Sequence, residues 1–237
     1  MIRVDRAQLT RNEIIRLATN SFLKDGYSKT SIHAMCKKLN MSTGNMTFHF
    51  PTKEHLLAEL VDMLCKFQWK AIEYETQNGY SLLEAFCFEL TSMAAACEED
   101  EVVKDFFIST YCSPMSLNII RKNDEERAQN IFREYCKDWN EERFIEAEIL
   151  VSGIEYATFM TTSETVPLEA RISSALQTIL AIYQVPEEIR KENIQKVLTM
   201  DYRKFSLRVL EEFRSYVDEA TEQALTDLFM KKEVPPK

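Results

Sequence analysis

Apolar residues recur along most of this chain at intervals of three and four, the spacing of one buried helix face. The first stripe is Ile14, Leu17, Ala18 and Phe22, preceded by Thr10 and Glu13 in the arrangement of a capping box. Gly26 stands just past it, where a left-handed residue ends a helix at least cost. Ser31 is placed to cap a short second helix that turns Ile32, Met35, Cys36 and Leu39 inward. Asn40 follows, a residue that tolerates a left-handed backbone. Ser42 then caps a third short helix, with Met46 and Phe50 as its core contacts. Pro51 stops that helix, and Thr52 caps a long fourth one starting at Lys53. Asn78-Gly79, Pro114, Pro167 and Pro186 punctuate the remainder. The pattern predicts helices over 53–76, 81–97, 100–112, 115–122, 125–139, 142–163, 168–184, 187–199 and 202–230. The fold class is therefore all-α. A three-helix head occupies 1–52, a larger helical domain 53–232, and a frayed tail 233–237.

Composition narrows the function classes. Of 237 residues, 45% are hydrophobic and 28% charged, enough apolar material for a real core. Gly 4 and Pro 6 cannot furnish the turns and ligand loops of a Rossmann enzyme or a β-sandwich. No run of 18 apolar residues is present, so no segment spans a bilayer. The opening residues Met1 to Arg6 lack the apolar region of a secretory signal, and a cytoplasmic location is expected. Cys36, Cys65, Cys87, Cys97, Cys112 and Cys136 form no CxxC pair and sit among apolar neighbours, as reduced structural thiols do. Charge is uneven. Residues 1–55 carry nine Lys/Arg against four Asp/Glu, while residues 56–237 carry a net −14. A small basic head on a large acidic body is what a protein needs when only its head meets a polyanion.

Two helices are apolar on more than one side. One is 142–163, with Phe144, Ile149, Ile154, Tyr156 and Phe159; the other is 168–184, with Ile172, Leu176, Ile179 and Leu180. Such helices are either central in their own domain or buried in a subunit interface. Paired with a second copy they would make a four-helix homodimer contact, with Gly153 marking close approach. The last helix, with Phe205, Val209, Phe213 and Val217, competes for that role or packs over its own subunit.

The stretch from Gly26 to Leu57, with Ala18-x-x-x-Phe22-x-x-x-Gly26 before it, resembles the DNA-binding head of the TetR/AcrR family of bacterial transcriptional regulators. The resemblance covers about residues 10–60. It rests on a glycine after helix one, a Ser/Thr cap on helix two, and Ser then Gly opening helix three. Aromatic-His-Phe closes that helix, and Lys-Glu opens helix four. The chain departs from the family's pattern at three places. Leu39-Asn40 replaces the usual Ala-Gly at the turn, Met35-Cys36 the usual Ile-Ala, and Thr47 a tyrosine.

The resemblance implies that the third helix enters the major groove by its first turn while the second crosses the backbone. Thr43 and Asn45 then face base edges, and Gly44 permits close approach. Ser31 and Ser42 cap their helices, and the adjoining amides face phosphates. His33, Thr47, Phe48, His49 and Lys53 join them in the contact set, with Lys29 a flanking cation. The implied partners are a palindromic double-stranded operator, a second copy of the chain, and a small-molecule effector that releases the DNA.

All three histidines lie in the head, so the body has no base for a hydrolytic triad and lacks the usual zinc ligands. No enzyme activity, cofactor or metal is expected. The family's effector pocket falls among the helices after the head. The candidates are Phe67, Trp69, Phe86, Met93, Phe107, Tyr111, Trp139, Tyr156, Phe159 and Met160, together with Glu155, an acid in a strongly apolar helix. The competing readings are a helical protein-interaction module, or a DNA binder whose aromatic core is solid.

Overall fold

A computed structural model describes residues 6–77, 79–161 and 166–233, over which the chain forms eleven helices. The first, α1 (Arg6–Lys24), starts before the expected capping box. Thr10 is inside it, and its hydroxyl donates to the Arg6 carbonyl at 2.9 Å instead of capping. Both serine caps act as expected. Ser31 Oγ accepts from the Ala34 amide at 3.2 Å and opens α2 (Ile32–Lys38). Ser42 Oγ accepts from the Asn45 amide at 3.1 Å and opens α3 (Thr43–His49). Gly26 and Asn40 take φ values of 96° and 50°, the left-handed turns anticipated after α1 and α2. Phe22, Met35, Met46, Phe50, Leu56 and Leu60 close the core of this head.

Leu56 and Leu60 belong to α4 (Lys53–Gln77), which leaves the head and enters the body. There follow α5 (Leu82–Glu99), α6 (Glu101–Cys112), α7 (Pro114–Phe132), α8 (Glu141–Met160), α9 (Leu168–Ile182), α10 (Glu187–Leu198) and α11 (Tyr202–Glu233). The segments expected at 115–122 and 125–139 are corrected: α7 runs unbroken through Asn123 and Asp124. Those polar residues do not break the helix. The Asn123 side-chain amide donates to the Ile119 carbonyl at 3.0 Å, and Asp124 pairs with Arg127 at 3.3 Å. Gln184, with φ 58°, supplies an unforeseen left-handed turn after α9. The tail over 234–237 lies outside the described residues, as do 162–163 at the end of the predicted 142–163 helix and Asn78 of the Asn78-Gly79 turn.

The helix enclosed around most of its girth is α5, against which α4, α6, α7, α8, α9, α10 and α11 all pack. Its buried alanines and cysteines (Ala85, Ala94, Ala95, Ala96, Cys87 and Cys97) give those neighbours close approach. In contrast, α9 buries Ile172, Leu176, Ile179 and Leu180 within its own protomer, while Ser174, Thr178 and Ala181 face out. A strip of uncovered apolar surface lies on α8. Ile145, Ile149, Leu150 and Met160 are each 42–59% exposed, with Gly153 and Ala157 between them. A Cβ on Gly153 would meet no atom of its own protomer within 4 Å.

Of the two roles open to the last helix, α11 packs over its own subunit. Phe205 meets Phe88 of α5 at 4.6 Å, and Phe213 meets Phe67 of α4 at 5.6 Å. The same helix also packs against α1, so α11 touches both body and head. No helix among the described residues is long and apolar enough to cross a membrane.

Candidate nucleic-acid interface and body cavity

The head presents α3 outward. Only Met46 of that helix is buried, while Thr43, Gly44, Asn45, Thr47 and Phe48 are exposed, Phe48 by 76%. A seven-residue helix with one buried anchor is held by its ends. At the start, the Ser42 cap leaves the amides of Thr43 and Gly44 at the leading turn. At the finish stands Arg11 of α1, a residue the sequence reading passed over. Its guanidinium donates to the His49 carbonyl at 3.3 Å, pairs with Glu59 of α4 at 2.6 Å, and lies 4.4 Å from the Phe50 ring centre. One arginine thus fixes α3 to α1 and α4.

The expected contact residues fall into two groups. Lys29, Ser31, His33, Ser42, Thr43, Gly44, Asn45, Thr47 and Phe48 are all exposed. Thr47 Oγ1 donates to the Gly44 carbonyl at 3.2 Å, which turns its hydroxyl proton inward and leaves its lone pairs outward. A Cβ on Gly44 would meet nothing closer than 4.0 Å, so bareness there clears the outer surface instead of relieving a clash. His49 is half-buried, and burial followed by the Arg11 charge lowers its pKa, keeping the imidazole neutral more readily.

Lys53 is placed differently from a free phosphate ligand. Its ammonium donates to the Tyr27 carbonyl at 2.5 Å and sits 3.8 Å from the Tyr27 ring centre. Burial outweighs the nearby Asp105 and Glu54 charges and lowers its pKa. The same turn is gripped from the body. Asp105 of α6 accepts from the Ser28 amide at 2.8 Å and from the Ser28 hydroxyl, beside Gly26. A side chain at Gly26 would need a positive φ and would sit 3.1 Å from the Asp105 carboxylate.

The body holds a cavity of about 50 Å³ among α4, α5, α6, α7 and α8. Five of the expected effector residues line it: Phe86, Met93, Phe107, Tyr111 and Glu155. The other six do not. Phe67 packs under α11 against Phe213 and Tyr216, and Trp69 faces the Arg127 guanidinium at 5.8 Å. Trp139 meets Phe144 edge-on and Tyr183 at a tilt, while Phe159 lies behind Tyr111 at 5.6 Å. Tyr156 sits beside Cys112, and Met160 points outward, 42% exposed. With Glu148, Val151 and Glu155 turned to the cavity, Tyr156, one position on from Glu155, is rotated by about 100° away from it.

The sequence reading found one cavity acid and missed three. Glu89 and Asp124 both pair with Arg127, Glu148 accepts from the Tyr183 hydroxyl, and Glu155 accepts from the Tyr111 hydroxyl at 2.9 Å. Burial and the neighbouring carboxylates push Glu148 up to about 8 and Glu155 well above the usual carboxylate range. Burial also raises Asp124, to about 6, against the pull of Arg127. No group of three or more His, Cys, Asp or Glu side chains among the described residues is placed to hold a metal ion.

Residues 14–60 match the family model described as bacterial regulatory proteins, tetR family. The head is similar to that of the TetR family over this segment. Within this region the chain is similar to the HTH-type transcriptional regulator QacR of Staphylococcus aureus, 33% identical over 63 residues. That alignment takes in 25% of this chain and 34% of the relative, about a third of its length. Solved structures similar in outline include a gamma-butyrolactone receptor (ArpA-like protein), at 19% identity and TM-score 0.43 over 87% of this chain and 98% of that one. Another is the TetR family protein CprB from Streptomyces coelicolor in complex with its operator, at 20% identity and TM-score 0.42, covering 87% and 99%. The match places Arg11 just outside the TetR-family segment and Lys53 within it. The acid-lined cavity belongs wholly to the helices beyond it, apart from their entry through α4.

Proposed function

We propose that the protein is a homodimeric, sequence-specific transcriptional regulator of the repressor kind, released from its operator by a small molecule held in the body. The exposed, capped α3 on a TetR-family head carries the reading. A helix with one buried side chain and five exposed at its leading turns suits entry into the major groove. In this reading Thr43 and Asn45 face bases; Ser31, His33, Ser42, Thr47, Phe48 and His49 frame the contact; and Lys29 supplies long-range attraction. The amides at the start of α4, more than the Lys53 ammonium, meet a phosphate. The functional division follows the same line, with 1–52 as the DNA-binding unit and 53–232 as the dimerisation and effector unit.

The uncovered apolar strip on α8, with the small outer residues of α9, supports a second copy as its cover. Two heads would then be set about 34–36 Å apart, on successive major grooves. Effector coupling has two supports. The cavity wall includes α4, which begins in the head, and α6, whose Phe107 lies two residues from the Asp105 grip on Ser28. A ligand that binds better when these helices are shifted would lower operator affinity by that difference in affinity.

Selection of bound duplexes from a random pool, followed by titration of the enriched sequence, tests the DNA reading. Asn45→Ala is expected to reduce discrimination between enriched and scrambled duplex by about 1–3 kcal/mol. Equal loss on both duplexes removes Asn45 from base readout, and failure to enrich any sequence removes the reading itself.

A further inference from the structure

A second chamber adjoins the acid-lined cavity and shares five wall residues with it: Leu64, Gln68, Glu89, Met93 and Phe107. It too measures about 50 Å³. Its remaining wall is almost wholly apolar and small, with Ala71, Ala85 and Ala96 below and Phe205, Val209 and Leu210 of α11 above. Between the chambers stands a partition made by Gln68, whose side-chain amide donates to Met93 Sδ at 3.5 Å. Both partition residues are long, unbranched and flexible, so the wall between the chambers is soft.

The first chamber is rich in carboxyl groups and poor in cations. Four carboxyl groups (Glu89, Asp124, Glu148 and Glu155) face one guanidinium, that of Arg127. Glu89 Oε1 is buried with no partner. Arg127, whose side chain is only 8% exposed, holds Glu89 and Asp124 but leaves its Nε without an acceptor. Unpaired buried groups of both kinds on one wall call for a guest that donates, with room beside it for a water.

We propose that the two chambers form one site for an elongated amphiphile with a protonated amine at one end. The ammonium lies among the carboxylates, and the apolar chain passes the Gln68–Met93 partition to lie beneath α11. This rests on the reading of the body as an effector domain and names the chemical class of the effector. An acid head is excluded by the surplus of carboxylates, and a neutral head leaves Glu89 Oε1, the oxygen turned away from Arg127, without a charged donor. Entry of the chain spreads α11 from α5. Because α11 also packs on α1, the apolar half of the ligand acts on the head by a path separate from α4 and α6.

Proton uptake and release give the site a signature. Empty, the cavity keeps Glu148 and Glu155 protonated at neutral pH, each bonded to a tyrosine. The groups facing them are Tyr183, Tyr111, Asp124, Glu125 and Arg127, with Glu89 and Cys65 on the opposite wall. An incoming ammonium favours the carboxylates, so binding expels protons and tightens as pH rises towards about 8.

The test is calorimetric titration of the intact protein with n-octylamine, n-octanol and octanoate, each also as its shorter homologues. Octylamine is expected to bind best, with a heat that changes with buffer because protons are released. Each methylene removed should weaken it about fourfold. Glu155→Gln should cost octylamine about tenfold or more and reduce the buffer dependence to the share Glu148 carries, while sparing octanol. Val209→Phe, which fills the chamber under α11, should remove the dependence on chain length without touching the polar end. Octanoate binding as well as octylamine, or Glu155→Gln leaving octylamine unchanged in a variant with native circular dichroism, overturns the cation. Indifference to chain length overturns the second chamber. A parallel titration into the protein–operator complex separates the two readings. Binding without release keeps the site and removes effector control, whereas release by an acidic or purely polar ligand keeps control and overturns this site.

Discussion

Glu148 offers a direct measure of how strongly the body cavity resists charge. Its side chain is 3% exposed and accepts from the Tyr183 hydroxyl, and its pKa is raised from 4.5 to about 8 by burial and by Asp124. In the unfolded chain the carboxyl ionises above about 4.5, while in the folded chain it stays protonated until about 8. Over that window the folded state holds the extra proton, so raising the pH favours unfolding. At 1.36 kcal/mol for each unit of separation, the loss at pH 7 is on the order of 3 kcal/mol. Glu148→Gln keeps a group able to bond Tyr183 but cannot ionise. Urea unfolding of both proteins at several pH values should show near-equal stability at pH about 4 and a gap opening in favour of the variant up to about pH 8. A gap that is constant with pH would refute the argument. So would a wild-type protein whose stability rises with pH relative to the variant.

Three further outcomes follow from particular contacts. Ile149→Glu together with Leu150→Glu should convert a dimer to a monomer by light scattering, since both side chains face out. Leu176→Ala should instead lower stability by about 2–5 kcal/mol, being fully buried within its own protomer. Lys53→Ala should weaken operator binding without lowering the salt slope, because its ammonium is held by Tyr27 and not offered to a phosphate. A slope reduced by about one would restore it as a phosphate ligand. Asp105→Ala should speed amide hydrogen exchange at Ser28 and cost about 1–3 kcal/mol, with unchanged exchange refuting the grip.

What the sequence makes legible follows the range of the interactions. Caps and turns act over three or four residues, so Ser31, Ser42, Gly26 and Asn40 declare themselves from their neighbours alone. Thr10 misleads because a capping pair and a mid-helix pair share the same spacing, and only the residues before it decide. The break expected between 122 and 125 fails for a longer-range reason. Asn123 and Asp124 are poor helix formers in isolation, but Asp124 is paired with Arg127 beside Glu89 of another helix. Glu155 was conspicuous among apolar neighbours. Glu89, Asp124 and Glu148 were not, since each also fits a solvated face and only tertiary packing brings them together. Arg11 carried no signal: its partners His49 and Glu59 are 38 and 48 positions away.

The contact between α11 and α1 joins the last described helix to the first. During synthesis α1 leaves the ribosome early, but the surface it shares with α11 stays bare until α11 has emerged. The head can therefore gather its short-range contacts well before α11 is made, yet gains its contact with α11 only afterwards. A chain cut short anywhere before α11 would carry every DNA-facing residue and still lack the clasp that orients them.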